Sequence, residues 1–180
     1  MNYGKNKYII ERKYLGRDER LKHLCKDNLD REVSSLSIGR TDYGFQNYGM
    51  TTWDIFERYH DVFEDLTIDL SSMAREYTKE HFNKEVTGNF FVSEMWGIVS
   101  EPYGLATPHN HWPAIFTFVY YLSLPKNNPP LLFTDSGLEI YPEEGEVIFF
   151  PSWLKHEVPL NKTKDKRICI AGNIYYEEKL

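Results

Sequence analysis

Cysteine is scarce: Cys25 and Cys169 are the two in 180 residues. They form neither a metal-ligand spacing nor a C-x-x-C redox pair. Two thiols also make a poor disulfide framework, so a reducing, cytoplasmic setting is expected. Long apolar runs are missing as well. No stretch approaches the roughly 18 uninterrupted apolar residues of a membrane-spanning helix. The opening MNYGKNKYII holds no apolar core of a secretory leader, so neither an anchor nor export is expected. Positive charge is in deficit: 21 Lys and Arg face 27 Asp and Glu, leaving a formal charge of −6. With a pI near 5.5, this argues against a nucleic-acid groove or an anionic membrane surface. The one basic cluster, NKTKDKR at 161–167, reads as a solvated hairpin loop. Repeats, low-complexity tracts and Pro/Gly/Ser linkers are also lacking, so residues 1–180 are expected to form a single domain.

What the chain does have is a globular share of apolar residues, 41%, and an aromatic share of 16%. At this length, burial of roughly 70% of the extended-chain surface supports a core without staples. The two halves differ in texture. Within RDERLKHLCKDNLD (17–30), Leu21, Leu24, Cys25 and Leu29 fall on one helical stripe. Phe63, Leu66, Leu70, Met73, Ala74 and Tyr77 follow the same rhythm, predicting a helix over about 61–82. Between them, loop 34–52 carries glycines and aromatics without periodicity. Residues 1–87 thus read as a helical N-terminal part.

From residue 88 the signal changes to short strands: 89–99, 114–124, 131–134, 138–141, 146–151, 156–160 and 167–176. PKNNPP, DSG, PEEG and NKTKD punctuate them. Many short strands with polar turns and few helices predict a mainly β fold with flanking α. The expected core over 88–180 is a double-stranded β-helix, a jelly roll of cupin type, with the N-terminal helices packed outside.

Six histidines occur, at 23, 60, 81, 109, 111 and 156. The first three sit among charged residues in helical sequence and read as surface groups. His109, His111 and His156 lie at strand ends instead. In extended backbone, side chains alternate faces, so His109 and His111 point the same way. A barrel mouth brings His156 to them across 45 intervening positions. A hydrogen-bonded structural imidazole is the alternative for any one of them; three together favour a metal site. Imidazole suits Zn, Cu, Fe and Ni, and a site without thiolate is a poor closed structural zinc. Two histidines and a carboxylate on one face is the non-heme Fe(II) oxygenase arrangement. Here His111 takes the carboxylate position.

Arg167 opens RICIAGNIYY, and its alternation partners are Cys169, Ala171 and Asn173. Such a face suits a cavity lining better than a core. A buried guanidinium needs an anionic partner, and its planar fork matches a carboxylate. An edge arginine facing water is the alternative.

The run MWGIV, PHNHWPAIFTFVYYL, PEEGEVIFFPSWLKHEV and RICIAGN resembles the iron(II)/2-oxoglutarate-dependent oxygenase superfamily. Within it, the likeness is to a group of mostly uncharacterised bacterial and phage proteins with an H-x-H first motif and FPSWLxHxV…R. The resemblance spans roughly residues 88–176. It implies a double-stranded β-helix holding Fe(II) through His109 and His156, with His111 as third ligand where most relatives carry Asp or Glu. It further implies that 2-oxoglutarate and O2 are used, that Arg167 grips the far carboxylate, and that Tyr121 of the YYL strand contacts it. Asn173 is placed with the co-substrate, and Asn173 and Trp153 are expected to lean into the cavity or cover it. Glu101 is an alternative carboxylate ligand, and loop 39–50 a lid. The implied activity is oxidation of an unidentified substrate, most simply hydroxylation, with release of succinate and CO2.

Two rival readings stand beside this one. A three-histidine cupin thiol dioxygenase keeps the imidazoles but has no use for Arg167. A non-enzymatic jelly-roll binding or structural protein has no use for either. The sequence specifies neither the prime substrate nor the oligomeric state.

Overall fold

The computed structural model describes residues 10–33, 49–52, 55–82 and 86–178. In chain order these form β1 (Glu11–Tyr14), α1 (Glu19–Val33), β2 (Gly49–Thr52), α2 (Ile55–Arg58), a 3-10 turn (His60–Val62) and α3 (Glu64–Phe82). There follow β3 (Asn89–Ser100), β4 (Ala106–His109), β5 (Phe116–Ser123), β6 (Leu131–Phe133), β7 (Leu138–Ile140), β8 (Glu146–Pro151), β9 (His156–Val158) and β10 (Arg167–Glu177). Six strands make a major sheet in the order β1-β8-β5-β10-β3-β2, and four make a minor sheet in the order β4-β9-β6-β7. Every pairing is antiparallel. The double-stranded β-helix expected from the strand pattern is thus present. None of the helices among the described residues is long and apolar enough to cross a membrane.

The two long helices, α1 and α3, form where the apolar stripes lie. Asp18 caps α1, its carboxylate accepting from the Leu21 N–H at 3.0 Å and so satisfying one of the free amides of the first turn. On α3, Leu66, Leu70, Met73, Ala74 and Tyr77 are buried, one stripe at helical spacing laid on the sheet. The predicted helix at 61–82 starts later, at Glu64, because the 3-10 turn and Phe63 precede it.

The major sheet is covered on both faces, which explains its near-continuous apolar strands. Phe116, Phe118, Tyr120, Val147, Phe149, Ile168, Ile170 and Ile174 pack with α1 and α3. Val119, Tyr121, Ile148, Phe150, Cys169 and Ala171 face Leu131, Phe133 and Ile140 of the minor sheet. Each buried side chain of this size stabilises the fold by about 1.5–3 kcal/mol relative to exposure. Three strands were not expected from the sequence: β1, β2 and β4. β1 is an edge strand, held to β8 by Arg12 Nε on Glu146 Oε1 at 2.5 Å and Nη2 on Oε2 at 2.8 Å. The two-bond fork suits an edge that lacks a hydrophobic signal of its own.

A register shift sets which side chains of β3 face inward. β10 pairs Asn173 with Glu94 but Ile174 with Val92, so Ser93 is an extra residue on β3. The bulge reverses the alternation. Before it, Phe90 and Val92 face the helices; after it, Met95 and Val99 do. Glu94, Trp96, Ile98 and Ser100 consequently line the space between the sheets.

Candidate active site

β4 and β9 set the histidines. In their antiparallel pairing His109 lies directly opposite His156, where side chains on one face approach most closely. His111 follows two residues later, and its backbone N–H donates to the Ser152 carbonyl at 2.9 Å, tying the H-x-H segment to the turn after β8. The three rings form a compact group: centroids lie 4.5 Å apart for His109 and His156, 5.0 Å for His109 and His111, and 5.3 Å for His111 and His156. One ligand atom from each falls within 4.8 Å of the others. Small side-chain rotations close that spread onto an ion bonding imidazole nitrogen at about 2.0–2.1 Å.

Protonation favours the same use. His109 Nδ1 donates to the Thr107 carbonyl at 2.7 Å and His156 Nδ1 to the Leu154 carbonyl at 2.9 Å. A carbonyl only accepts, so each Nδ1 carries the proton and each Nε2 presents a lone pair. Burial pushes His156 down to about 3 and His111 down to about 4, with the neighbouring His109 adding to both. His109 is lowered by burial too, against the pull of its Thr107 bond. All three are neutral imidazoles at pH 7, as metal ligation requires.

The histidines sit on one wall of a cavity of about 750 Å³ between the two sheets. At one end is Arg167, 3% exposed. Its Nε is buried without a hydrogen-bond partner, as is the Tyr121 hydroxyl, and the guanidinium carbon lies 5.1 Å from the Tyr121 ring. Burial raises the Tyr121 hydroxyl above its ordinary value, with the Arg167 charge opposing. Cys169 is raised by burial in the same way and is an inert thiol at neutral pH. Among the described residues Arg167 makes no ion pair. A buried guanidinium and a buried phenol, both short of partners and side by side, are complementary to a carboxylate group.

The other expected residues divide. Asn173 lines the cavity but not beside Arg167: six residues along β10 put it about 20 Å away. Its amide bonds to Thr117 and Glu94, on the part of β10 away from Arg167, where it was expected to contact the co-substrate. Glu101 is not among the cavity-lining residues; its carboxylate pairs with Lys166 at 2.7 Å. Trp153 is 52% exposed beside a separate small depression, and the indole at the cavity rim belongs to Trp112. The expected lid, loop 39–50, lies outside the described residues up to position 48. His23 and His60 are exposed, and His81 Nε2 lies 3.2 Å from Glu11, so none joins the cluster. Sequence reading missed Glu94, Trp96 and Thr117 as lining groups. Trp96 packs against His111, with centroids 5.6 Å apart.

Residues 133–173 match the family model described as "Putative 2OG-Fe(II) oxygenase". That segment includes His156, Arg167 and Asn173 and ends upstream short of His109 and His111. No curated protein sequence matches the chain. Solved structures share the fold. A prolyl-4-hydroxylase of Pseudomonas putida is 13% identical, covering 95% of this chain and 93% of its own, with a TM-score of 0.55. The non-heme alpha ketoglutarate dependent epimerase SnoN from nogalamycin biosynthesis is 10% identical, covering 97% and 80%, with a TM-score of 0.63. HygX from Streptomyces hygroscopicus, with nickel and 2-oxoglutarate bound, is 12% identical, covering 92% and 82%, with a TM-score of 0.56. The family match thus covers residues 133–173, and the solved structures agree with it in fold over most of the chain.

Proposed function

We propose that the protein is an Fe(II)/2-oxoglutarate-dependent dioxygenase in which His109, His111 and His156 hold the metal. Arg167 and Tyr121 receive the far carboxylate of 2-oxoglutarate. The observation that carries this is the orphaned pair at the closed end of the cavity. Arg167 Nε and the Tyr121 hydroxyl are buried without partners, and a dicarboxylate reaching from the histidines would satisfy both. Fe(II) with 2-oxoglutarate and O2 supplies an oxidant for an unactivated C–H bond, with succinate and CO2 as products.

The chain's own residues bind, orient and exclude water. The Nδ1 bonds to Thr107 and Leu154 fix the tautomer and the ring planes of two ligands. A third neutral histidine in place of a carboxylate leaves the centre one positive charge higher, which a dianionic co-substrate offsets. Leu131, Val119 and Ala171 line the cavity and keep it dry on that side, and a low local dielectric strengthens the Arg167–carboxylate pairing. A buried Arg–Tyr pair suits any carboxylate, so it is succinate formation that separates this reading from a three-histidine thiol dioxygenase.

Anaerobic titration with Fe(II) and then 2-oxoglutarate is expected to develop a weak visible charge-transfer band. Admission of O2 is expected to yield succinate in uncoupled turnover. Protein that binds the metal but gives neither band nor succinate would overturn the proposal. The bond oxidised in the prime substrate is a separate matter, since the named relatives include both a hydroxylase and an epimerase.

A further inference from the structure

Beyond the histidines, away from Arg167, the cavity wall carries a hydrogen-bonded chain that metal and co-substrate binding leave unused. Thr117 Oγ1 donates to Asn173 Oδ1 at 3.0 Å, and Asn173 Nδ2 donates to Glu94 Oε2 at 3.0 Å. Thr117 and Asn173 are 1% and 4% exposed, whereas Glu94 stands at the mouth. Because a carboxylate only accepts, the amide must turn its NH2 toward Glu94 and its oxygen toward the threonine. Two buried side chains thereby aim one exposed carboxylate.

The charge pattern of the cavity gives that carboxylate a purpose. Glu94 is the one acidic group lining it among the described residues, and Arg167 the one guanidinium or ammonium. Along the β3–β10 pair Glu94 lies opposite Asn173 and Arg167 opposite Ser100, and Trp96, which packs against His111, lies opposite Ala171 between them. Among the described residues no cation pairs with Glu94. Its surroundings are aromatic: Trp96, Trp112 and Tyr175 line the same end, and aromatic faces attract cations. An anion here also repels a second diacid from the mouth, so that one orientation of the co-substrate is favoured. Building on the oxygenase reading above, we infer that Glu94, aimed by Asn173 and Thr117, recognises a substrate bearing an ammonium or guanidinium group and presents its neighbouring C–H bonds to the histidine centre. Glu94 is the specificity-determining residue; Asn173 and Thr117 are positioning residues.

Matched small probes test this on the full chain without metal or co-substrate: n-butylammonium, n-butylguanidinium and n-butanol, followed by saturation-transfer NMR and by tryptophan fluorescence. The two cations are expected to bind in preference to the alcohol. Glu94→Gln is expected to weaken the cations about tenfold or more, the loss of one charge-assisted hydrogen bond. Glu94→Lys is expected to abolish the preference for the cations, and Asn173→Ala to weaken the cations less than Glu94→Gln does. Thermal melting checks that each variant folds, and Glu94→Gln, altered at an exposed site, keeps the test open if Asn173→Ala does not fold. Equal binding of cation and alcohol, or cation binding unchanged in Glu94→Gln, would overturn the inference. Neither outcome touches the oxygenase reading, which stands or falls on succinate formation by the wild-type protein.

Discussion

In the proposed reading co-substrate binding turns on Arg167 and Tyr121, because the Arg167 Nε and the Tyr121 hydroxyl lack partners where partners are expensive to lack. Replacing Arg167 by Ala is expected to raise the dissociation constant of 2-oxoglutarate about a hundredfold, the worth of a bidentate charged pair. Isothermal titration of the Ni(II)-loaded protein reads this directly. Tyr121→Phe removes a hydroxyl that has no bond in the chain itself. It is expected to leave the melting temperature unchanged or slightly higher while weakening 2-oxoglutarate several-fold; a large fall in stability would show the hydroxyl to be structural. At the proposed metal site, His109→Ala or His156→Ala would delete one of three candidate donors and is expected to lower Ni(II) affinity by more than tenfold, again by titration.

The element scale is governed by β10, which pairs with both β5 and β3 and carries Arg167 at one end and Asn173 near the other. Gly172 lies between them, where a Cβ would meet the Glu94 carbonyl oxygen at 2.5 Å and the Phe118 ring at 2.7 Å. Backbone and a core ring have little room to move, so Gly172→Ala is expected to cost about 1–3 kcal/mol. The midpoint of urea denaturation measures it, and an unchanged midpoint would mean that the strands are free to separate. The bulge at Ser93 works on the same pair of strands. It turns Glu94 inward while Phe90 and Val92 stay on the helices.

For the whole molecule, the three imidazoles, His156 buried and His109 and His111 half-buried, couple folding to pH and metal. Their folded pKa values lie below the ordinary 6.5, at about 3 for His156 and about 4 for His111. Below pH 6.5 the unfolded chain therefore binds protons that the folded chain refuses. Stability of the metal-free protein is full above that value and is lost as pH falls toward 4. Melting temperatures at pH 7.5, 6.0 and 5.0 are expected to decline in that order, with a smaller decline in His156→Gln. Metal acts in the opposite sense. Ni(II) at a hundred times its dissociation constant is expected to add about 2.7 kcal/mol, or roughly 5–10 °C for a chain of this size, at pH 7.5 and less at pH 5.0. A melting temperature indifferent to Ni(II) at pH 7.5 would argue against a shared ion.

Much of the protein was written in its local sequence. The α3 stripe, seven of the strands in the β-rich half, and the separation of His109, His111, His156 and Arg167 from the other histidines and basic residues all follow from period and punctuation. Those are nearest-neighbour properties, and nearest neighbours are what a sequence displays. Other features arise only between segments far apart in the chain. β4 contains Pro108 and is too short to announce itself; it becomes a strand by pairing with β9. Strict alternation places Glu94 on the side of Phe90 and Val92, and only the extra residue in the β3–β10 register moves it to the cavity. Asn173 shares a strand face with Arg167, yet strand length separates them by most of the cavity. Which face a residue occupies is thus partly local, but what it meets there is set by register. Register is a property of two strands, and no single stretch of chain contains it.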